Sequence, residues 1–136
     1  MSLLQAYSTA STLAANEDKL PIQHQPRGQH LLADLHGIRA DKLIDAKQLE
    51  QLLQQAARAA GAHILFSHLH SFGPNQGVTG VVLLAESHLS IHTWPECGFA
   101  AVDIFMCGQA QPELALQVLI QALQASKHTT RTLQRG

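Results

Sequence analysis

The sequence has little net charge, few aromatic residues and only two cysteines. Nine Lys and Arg residues against ten Asp and Glu give a formal charge of −1, so no strong field points to nucleic acid or an anionic membrane as a partner. Aromatic residues make up only 4% of the chain, so its core must be aliphatic. Cys97 and Cys107 are too few for a small secreted disulfide fold, which favours reduced thiols in a cytosolic protein.

Membrane-spanning and secretory patterns are also missing. No apolar run approaches the roughly 18 residues that a transmembrane helix needs, and no Lys or Arg precedes Lys19 as a signal peptide would require. We therefore expect a cytoplasmic protein whose partner is neither a membrane nor nucleic acid. Residues 1–27, rich in Ser, Thr, Ala and Gln, are interpreted as an N-terminal arm, and residues 28–136 have the length of one domain.

The composition that is present belongs to a folded domain. Hydrophobic residues make up 46% of the 136 residues and charged residues 14%, which excludes a disordered chain. A domain of this length buries roughly two-thirds of its unfolded surface, which is enough for a substantial core. Nine histidines are the unusual feature. Because imidazole titrates near neutral pH and binds metals, this count favours proton chemistry or a metal site over inert packing.

Two helices are predicted from end signals and apolar periodicity. Asp45 can cap the first, with Gln48 at the capping-box position, and Gly61 suits its C-terminal end. Pro112 suits the first turn of the second helix. Each helix has one apolar stripe at helical spacing: Ala46, Leu49, Leu52, Leu53, Ala56 and Ala60 in the first, and Leu114, Ala115, Val118, Leu119, Ala122 and Ala125 in the second.

Five segments predict strands, and a sixth is a weaker candidate. They are residues 30–36, 62–69, 78–84, 88–93 and 99–106, with a short final strand near 128–133 in a basic segment otherwise interpreted as solvated. Apolar and polar residues alternate along the fourth and fifth segments, as in half-buried strands. The order β-α-β-β-β-β-α predicts an α+β two-layer sandwich, in which two helices pack on one face of a mostly antiparallel sheet.

The chemistry is concentrated in residues 85–96, Ala-Glu-Ser-His-Leu-Ser-Ile-His-Thr-Trp-Pro-Glu. The simplest interpretation of this segment is a strand edge that faces solvent, which can be equally polar without any catalytic role. A zinc site is one interpretation, but the spacing of its candidate ligands matches no strong motif, so we expect no metal: His68, His70, His88, His92 and Cys107. A serine hydrolase is another, but Ser87 lacks the G-x-S-x-G turn and is followed by a predicted strand rather than a helix.

Several groups of residues carry a resemblance to a known family. Residues 77–96, with the run Glu-Ser-His-Leu-Ser-Ile-His-Thr-Trp-Pro-Glu, and residues 100–108 closely resemble the prokaryotic S-adenosylmethionine decarboxylases. Gly28-Gln29-His30 and His70-Ser71-Phe72 also look like family positions. The resemblance extends from about residue 28 to about residue 126. It implies a pyruvoyl-dependent lyase, made as a zymogen, that decarboxylates S-adenosylmethionine for spermidine biosynthesis.

The resemblance implies that the chain cuts itself between Glu86 and Ser87. Ser87 attacks the Glu86 carbonyl in an N→O acyl shift, and the hydroxyl of Thr79 assists. His92 matches the histidine that removes the Cα proton of residue 87, so that elimination frees a β chain of residues 1–86. Loss of ammonia then leaves residue 87 as a pyruvoyl group at the head of an α chain of residues 87–136.

The implied cofactor, the pyruvoyl group derived from Ser87, supplies an electrophilic carbonyl that no ordinary side chain has. In the family it forms a Schiff base with the substrate amine and takes up the electrons that decarboxylation leaves, as pyridoxal phosphate does in other enzymes. Cys107 matches the catalytic acid that returns a proton to the product carbon. Without the resemblance, the simpler interpretation of Cys107 is a small buried apolar residue.

The resemblance also implies which residues meet the substrate. Phe72 matches a position implicated in adenine stacking, and an aromatic face also suits a sulfonium cation. Glu96 is a candidate for binding the ribose hydroxyls or the positive charge, and Trp94 either lines the pocket or packs in the core. Family members work as dimers of processed αβ protomers with sites near the interface, so we expect self-association.

Strand periodicity sets a geometric problem for this assignment. Ser87 and His92 are five residues apart, so an unbroken strand points their side chains to opposite faces. A bend at the cleavage site, or action of His92 on backbone atoms, must bring them together.

The sequence also leaves different functions open. Three residues near the substrate depart from the common family pattern: Gln76, Cys97 and Phe99. Ornithine or arginine could therefore be the substrate of a pyruvoyl-dependent decarboxylase. Two further hypotheses are an uncleaved, non-catalytic paralogue and a metal-binding protein. The joint presence of Ser87, His92 and Cys107 argues against a non-catalytic copy.

Overall fold

Six antiparallel strands form one sheet, and two helices pack against it. The computed structural model describes residues 25–136. Its main elements are β1 (Gly28–His36), α1 (Ala46–Ala59), β2 (Ile64–Ser71), β3 (Val78–Leu84), β4 (Ser87–Trp94), β5 (Phe99–Cys107), α2 (Pro112–Leu123) and β6 (Lys127–Arg135). The strand order across the sheet is β2-β3-β4-β5-β1-β6. The predicted α+β two-layer sandwich is confirmed, whereas residues 1–24 of the predicted N-terminal arm lie outside the described residues.

Local sequence signals account for both helices. The side chain of Asp45 accepts hydrogen bonds from the backbone N–H groups of Lys47 and Gln48, each at 3.1 Å, which confirms it as the N-cap of α1. Gly61 follows α1 with a φ of 81°, the left-handed conformation that favours glycine after a helix. Pro112 occupies the first turn of α2, as predicted. Within residues 25–136, neither helix is long and apolar enough to cross a membrane.

The core is aliphatic and lies between the helices and one face of the sheet. Leu49 and Leu53 of α1 and Leu119 of α2 are fully buried there. Alternate residues of each central strand point towards them, so β4 buries Leu89 and Ile91 while the residues between point away. The predicted alternation of β5 is also confirmed: Ala100, Val102, Ile104 and Met106 are buried.

The other face of the sheet, called the open face below, carries polar and aromatic side chains. Within residues 25–136, no helix covers it. Six of its residues belong to β4 and β5 and form most of the candidate site: His88, Ser90, His92, Asp103, Phe105 and Cys107. Strand alternation therefore collects on one surface the chemistry that the sequence shows as a single dense segment.

The C-terminal basic segment forms a longer strand than expected. β6 covers Lys127–Arg135 and pairs with β1 along its whole length, whereas the sequence predicts only residues 128–133. Each of its residues is exposed, in agreement with the prediction of a solvated basic segment. Strand pairing decides its structure, because an edge strand needs a partner backbone but no buried apolar face.

Thr93 is a buried polar residue that joins β4 to the segment before α1. Its hydroxyl accepts a hydrogen bond from the backbone N–H of Val78 at 2.8 Å and donates one to the carbonyl of Leu43 at 2.8 Å. Both partners are buried. The side chain therefore satisfies two backbone groups that water cannot reach.

Replacing Thr93 with valine is expected to lower the free energy of unfolding by about 1–3 kcal/mol, because both buried backbone groups lose their partner. Denaturant titration of the uncleaved Ser87→Ala protein, with and without the substitution, followed by circular dichroism measures the change. Thr130→Val, on exposed strand β6, is the matched control and should change the stability by less than about 0.5 kcal/mol. Equal effects of the two substitutions would contradict the role given to Thr93.

Candidate active site

The turn between β3 and β4 contains the predicted cleavage bond. Leu84 pairs with Ser87 across this hairpin, so Ala85 and Glu86 form the turn. Ser87 has a φ of 138°, a backbone conformation that side-chain-bearing residues rarely adopt. Such a conformation costs about 1–3 kcal/mol and persists only where the surroundings enforce it. The strain lies at the residue that follows the Glu86–Ser87 bond.

The carbonyl oxygen of Glu86 is held by Cys107. The backbone N–H of Cys107 donates to it at 3.0 Å, and the thiol Sγ lies 3.1 Å from it in donor geometry. Ser87 lies opposite Met106, the neighbour of Cys107, in the β4–β5 pairing. Two donors on one carbonyl oxygen polarise that carbonyl and suit the negative charge that nucleophilic attack develops on it.

The side chain of Glu86 is anchored by His63, a residue that the sequence did not indicate. The backbone N–H of His63 donates to Oε1 at 2.8 Å, and Nδ1 lies 2.7 Å from Oε2. Glu86 is only 4% exposed. Burial raises the pKa of the Glu86 carboxyl, but the hydrogen bonds from His63 together lower it by a larger amount. The pKa of Glu86 is therefore below its ordinary value. Only the fold joins these residues, which are 23 positions apart.

Thr79 and His92 form a second group. They face each other across β3 and β4, and Thr79 Oγ1 lies 2.6 Å from His92 Nδ1. Both line a cavity of about 370 Å³. The same cavity contains all three predicted substrate-binding residues: Phe72, Trp94 and Glu96. Gln76, one of the departures from the family pattern, lines it as well.

The predicted site is therefore divided into two cavities within one chain. Ser87 and Cys107 line a cavity of about 360 Å³, while His92 lies five residues further along β4. At about 3.3 Å per residue, this separation is about 17 Å. The bend at Ser87 does not bring His92 to it. The sequence expectation that a local bend joins them is thus not met within a single chain.

Asp103 organises a hydrogen-bonded cluster on the open face between these cavities. Its Oδ2 atom lies 2.7 Å from Nε2 of His30 and 2.8 Å from Nε2 of His88, and Ser90 donates to Oδ1. Burial raises the pKa of Asp103, but the hydrogen bonds from Ser90, His88 and His30 together lower it by a larger amount. The pKa of Asp103 is therefore below its ordinary value. These four residues are called the Asp103 cluster below.

The Asp103 cluster bears on the metal-site interpretation. One potential ligand atom each from His30, His88 and Asp103 lies within 4.8 Å of the others. Of the five ligands suggested by the sequence, only His88 belongs to this group. Each imidazole has the Asp103 carboxylate as its hydrogen-bond partner.

The sequence model of the S-adenosylmethionine decarboxylase family matches residues 29–136. The chain belongs to this family. Two bacterial relatives carry the name S-adenosylmethionine decarboxylase proenzyme. The Prochlorococcus marinus (strain MIT 9211) protein is 48% identical over 109 residues, which cover 79% of this chain and 88% of that protein. The Persephonella marina (strain DSM 14350 / EX-H1) protein is 42% identical over 110 residues, with coverages of 80% and 82%.

A solved structure supports the same family at the level of the fold. The crystal structure of the adenosylmethionine decarboxylase from Aquifex aeolicus VF5 superposes with a TM-score of 0.75 at 40% sequence identity. The alignment covers 82% of this chain and 92% of that chain. The sheet and both helices are therefore those of an S-adenosylmethionine decarboxylase.

Trp94 contributes to a surface of this S-adenosylmethionine decarboxylase fold rather than to its core. It is 41% exposed and lines the same cavity as Phe72 and Glu96. Its ring stacks on Phe99 with centroids 5.3 Å apart, and Phe99 stacks in turn on His36. Of the two interpretations left open by the sequence, pocket lining is the one that the structure supports. Phe99, a departure from the family pattern, sets the position of Trp94.

Replacing Asp103 with asparagine is expected to flatten the acid limb of the stability profile. A depressed carboxyl pKa contributes stability above its unfolded value of about 3.9, and this contribution is lost as the pH falls through the lower folded value. Denaturant titrations in the uncleaved Ser87→Ala background, at a series of pH values from about 6 to about 3, measure the slope. Asp34→Asn, on the open face of β1, is the control. Parallel profiles for wild type and Asp103→Asn would refute the assignment.

Proposed function

We propose that this chain is a self-processing decarboxylase that converts S-adenosylmethionine to decarboxylated S-adenosylmethionine, the aminopropyl donor for spermidine biosynthesis. Membership of the family supports the activity. One structural observation carries the processing step: the Glu86 carbonyl receives two hydrogen bonds from Cys107 beside the strained Ser87. The enzyme is a carboxy-lyase acting in the cytoplasm, where the free thiols of Cys97 and Cys107 stay reduced.

Self-cleavage uses the groups at the turn. Ser87 Oγ attacks the carbonyl carbon of Glu86, its proton passes to the nitrogen of residue 87, and the amide becomes an ester. The two donors of Cys107 stabilise the oxyanion formed on the way. Removal of the Cα proton of residue 87 by His92 then expels the Glu86 carboxylate by β-elimination, and hydrolysis of the resulting dehydroalanine by water releases ammonia and leaves the pyruvoyl group. Thr79, hydrogen-bonded to Nδ1 of His92, orients the imidazole for this step.

The residues at the turn fit a pyruvoyl group derived from Ser87. Residue 87 is held against β5 opposite Met106, and Cys107 lies beside it, so cleavage leaves the new chain head in a lined cavity. When formed, this group supplies the carbonyl that accepts the electron pair left by decarboxylation. Cys107 holds a proton at Sγ and delivers it to the substrate carbon that has lost carbon dioxide.

The second cavity suits the nucleoside and sulfonium parts of the substrate. Phe72 and Trp94 offer aromatic faces to adenine or to the sulfonium cation. Glu96 adds a carboxylate that can accept hydrogen bonds from ribose hydroxyls or oppose the positive charge. This combination of aromatic faces and one carboxylate favours S-adenosylmethionine over ornithine or arginine, which contain no ring to stack.

We also propose that two protomers complete each active site. The reacting groups of one chain occupy two cavities on the same open face, about 17 Å apart along β4. A two-fold axis can place the His92 cavity of one protomer over the Ser87 cavity of its partner, and the reverse. Several large apolar side chains of this face are exposed, as expected of a surface that a second copy covers: Leu32, Phe66, Leu83, Trp94 and Leu133.

Intact mass under denaturing conditions tests the processing. Wild-type protein is expected to give fragments 1–86 and 87–136, the second lighter than its sequence mass by one ammonia. Ser87→Ala should stay intact, and Cys107→Ala should lose about 10²–10⁴-fold in turnover, the usual contribution of a positioned acid.

Release of labelled carbon dioxide from carboxyl-labelled S-adenosylmethionine, ornithine or arginine identifies the substrate. A wild-type chain that stays intact after long incubation would instead support the non-catalytic paralogue.

Co-expression of two inactive chains tests the composite site. Ser87→Ala lacks the nucleophile and His92→Ala lacks the base, so neither is expected to cleave alone. In a mixed dimer, the intact Ser87 of the His92→Ala chain meets the partner's intact His92. Differently tagged subunits should therefore show cleavage of the His92→Ala chain only. Absence of cleavage in isolated mixed dimers would place His92 in the same chain as its target and overturn the composite site.

A further inference from the structure

The cavity that contains Ser87 and Cys107 also contains a guanidinium that the mechanism has not used. Phe105 and Arg135 line the same space of about 360 Å³. An α-amino acid that reacts at residue 87 must bring its amine into this cavity. Because the amine and the carboxylate are bonded to one carbon, the carboxylate must enter it too.

Strand pairing places Arg135 in line with Cys107. Gly28 of β1 lies opposite Cys107 of β5 on one side and opposite Arg135 of β6 on the other. Gly28 has no side chain to fill the space between them, and a Cβ there would lie 2.7 Å from Cε1 of Phe105. Neighbouring strands are about 4.8 Å apart, so the Arg135 backbone lies about 10 Å from that of Cys107. An extended arginine side chain covers most of this gap, and Arg135 and Cys107 line the same cavity.

Two rings hold the Arg135 guanidinium in place. Its Cζ atom lies 4.6 Å from the centroid of Phe105, and NH1 lies 3.4 Å from Nδ1 of His30. Nε2 of His30 is engaged by the Asp103 carboxylate at 2.7 Å. A ring that donates from Nε2 presents Nδ1 as an acceptor, which is the role that faces Arg135. The Asp103 cluster therefore orients Arg135 through His30.

Arg135 has a defined position but no acidic partner. No carboxylate of residues 25–136 lies within ion-pair distance of it. Arg27 lines the same cavity, but within that range its side chain has neither a hydrogen bond nor a ring contact of the kind that fixes Arg135. A held, unpaired guanidinium with planar N–H donors is suited to a carboxylate ligand.

We propose that Arg135 binds the α-carboxylate of the substrate before decarboxylation; this assignment deepens the proposed function and rests on it. The interaction belongs to the ground state, because the carboxylate loses its charge as carbon dioxide leaves. Binding that is present in the ground state and lost in the transition state lowers KM and kcat together, so removing it raises both and leaves kcat/KM unchanged. The decarboxylated product lacks the carboxylate, so Arg135 does not contribute to product binding and does not slow product release.

Two ligands that differ only in the carboxylate test the proposal. Calorimetry with uncleaved Ser87→Ala and Ser87→Ala/Arg135→Gln proteins gives dissociation constants for S-adenosylmethionine and for its decarboxylated product, with no reaction taking place. Arg135→Gln is expected to weaken substrate binding about 10- to 100-fold, as for loss of a charge-assisted hydrogen bond. Product binding should change less than twofold. In the cleaved enzyme, Arg135→Gln should raise KM and kcat together and leave kcat/KM within about twofold.

Control variants distinguish carboxylate binding by Arg135 from a general effect of charge and from binding by Arg27. Arg58→Gln removes a positive charge from the last turn of α1, in the helical layer, and should change neither dissociation constant. Equal losses for substrate and product, or no loss for either, would overturn the proposal. A loss confined to Arg27→Gln would move the carboxylate site to Arg27. If wild type neither cleaves nor turns over, the proposed function fails, while calorimetry on the Ser87→Ala pair still reports on Arg135.

Discussion

The candidate site depends on the hydrogen bond from the Cys107 backbone to the Glu86 carbonyl. This bond continues the β4–β5 pairing by one position beyond Ser87 and Met106, and so fixes the turn against the end of β5. The same pairing places the Cys107 thiol on the carbonyl oxygen. In the proposed mechanism, Cys107 therefore acts on the Glu86 carbonyl before cleavage and on the substrate carbon after it. The strain at Ser87 persists because β4 is held by pairing on both sides.

The separation of the two cavities follows from the geometry of a strand. Ser87 and His92 belong to one segment of sequence, but an extended backbone places them far apart along β4. Hydrophobic burial leaves their chemistry on the open face, because the other face holds the core. The Asp103 cluster lies on that face between the two cavities. In the proposed two-fold dimer, the Ser87 cavity of each protomer would meet the His92 cavity of the other.

The fold could be predicted largely because its signals are local. The Asp45 cap and the alternation along β5 each depend on neighbours within a few residues, and the structure has both. The sequence predicts β6 too short, because an exposed edge strand has no buried face to give it a pattern. Within the site, the roles of Ser87 and His92 are predicted from a specific run of sequence and stay predictions.

The residues that only the fold brings together could not be found in this way. His63 meets Glu86 across 23 residues and His30 meets Asp103 across 73, and no short-range pattern marks either pair. The division of the candidate site residues between two cavities likewise depends on three-dimensional geometry, which the sequence does not show.

The strand order has a consequence for the cleavage proposed between Glu86 and Ser87. β1, β2 and β3 belong to residues 1–86, and β4, β5 and β6 to residues 87–136, yet β1 lies between β5 and β6 while β3 pairs with β4. Cutting the chain therefore leaves two interleaved fragments that share one sheet. Folding of the intact chain is unimolecular, whereas the cleaved form, once unfolded, must reassemble from two molecules. The uncut chain is thus the form that folds efficiently. After the proposed cleavage, the enzyme stays active only as long as it stays folded, because refolding would require two fragments to meet.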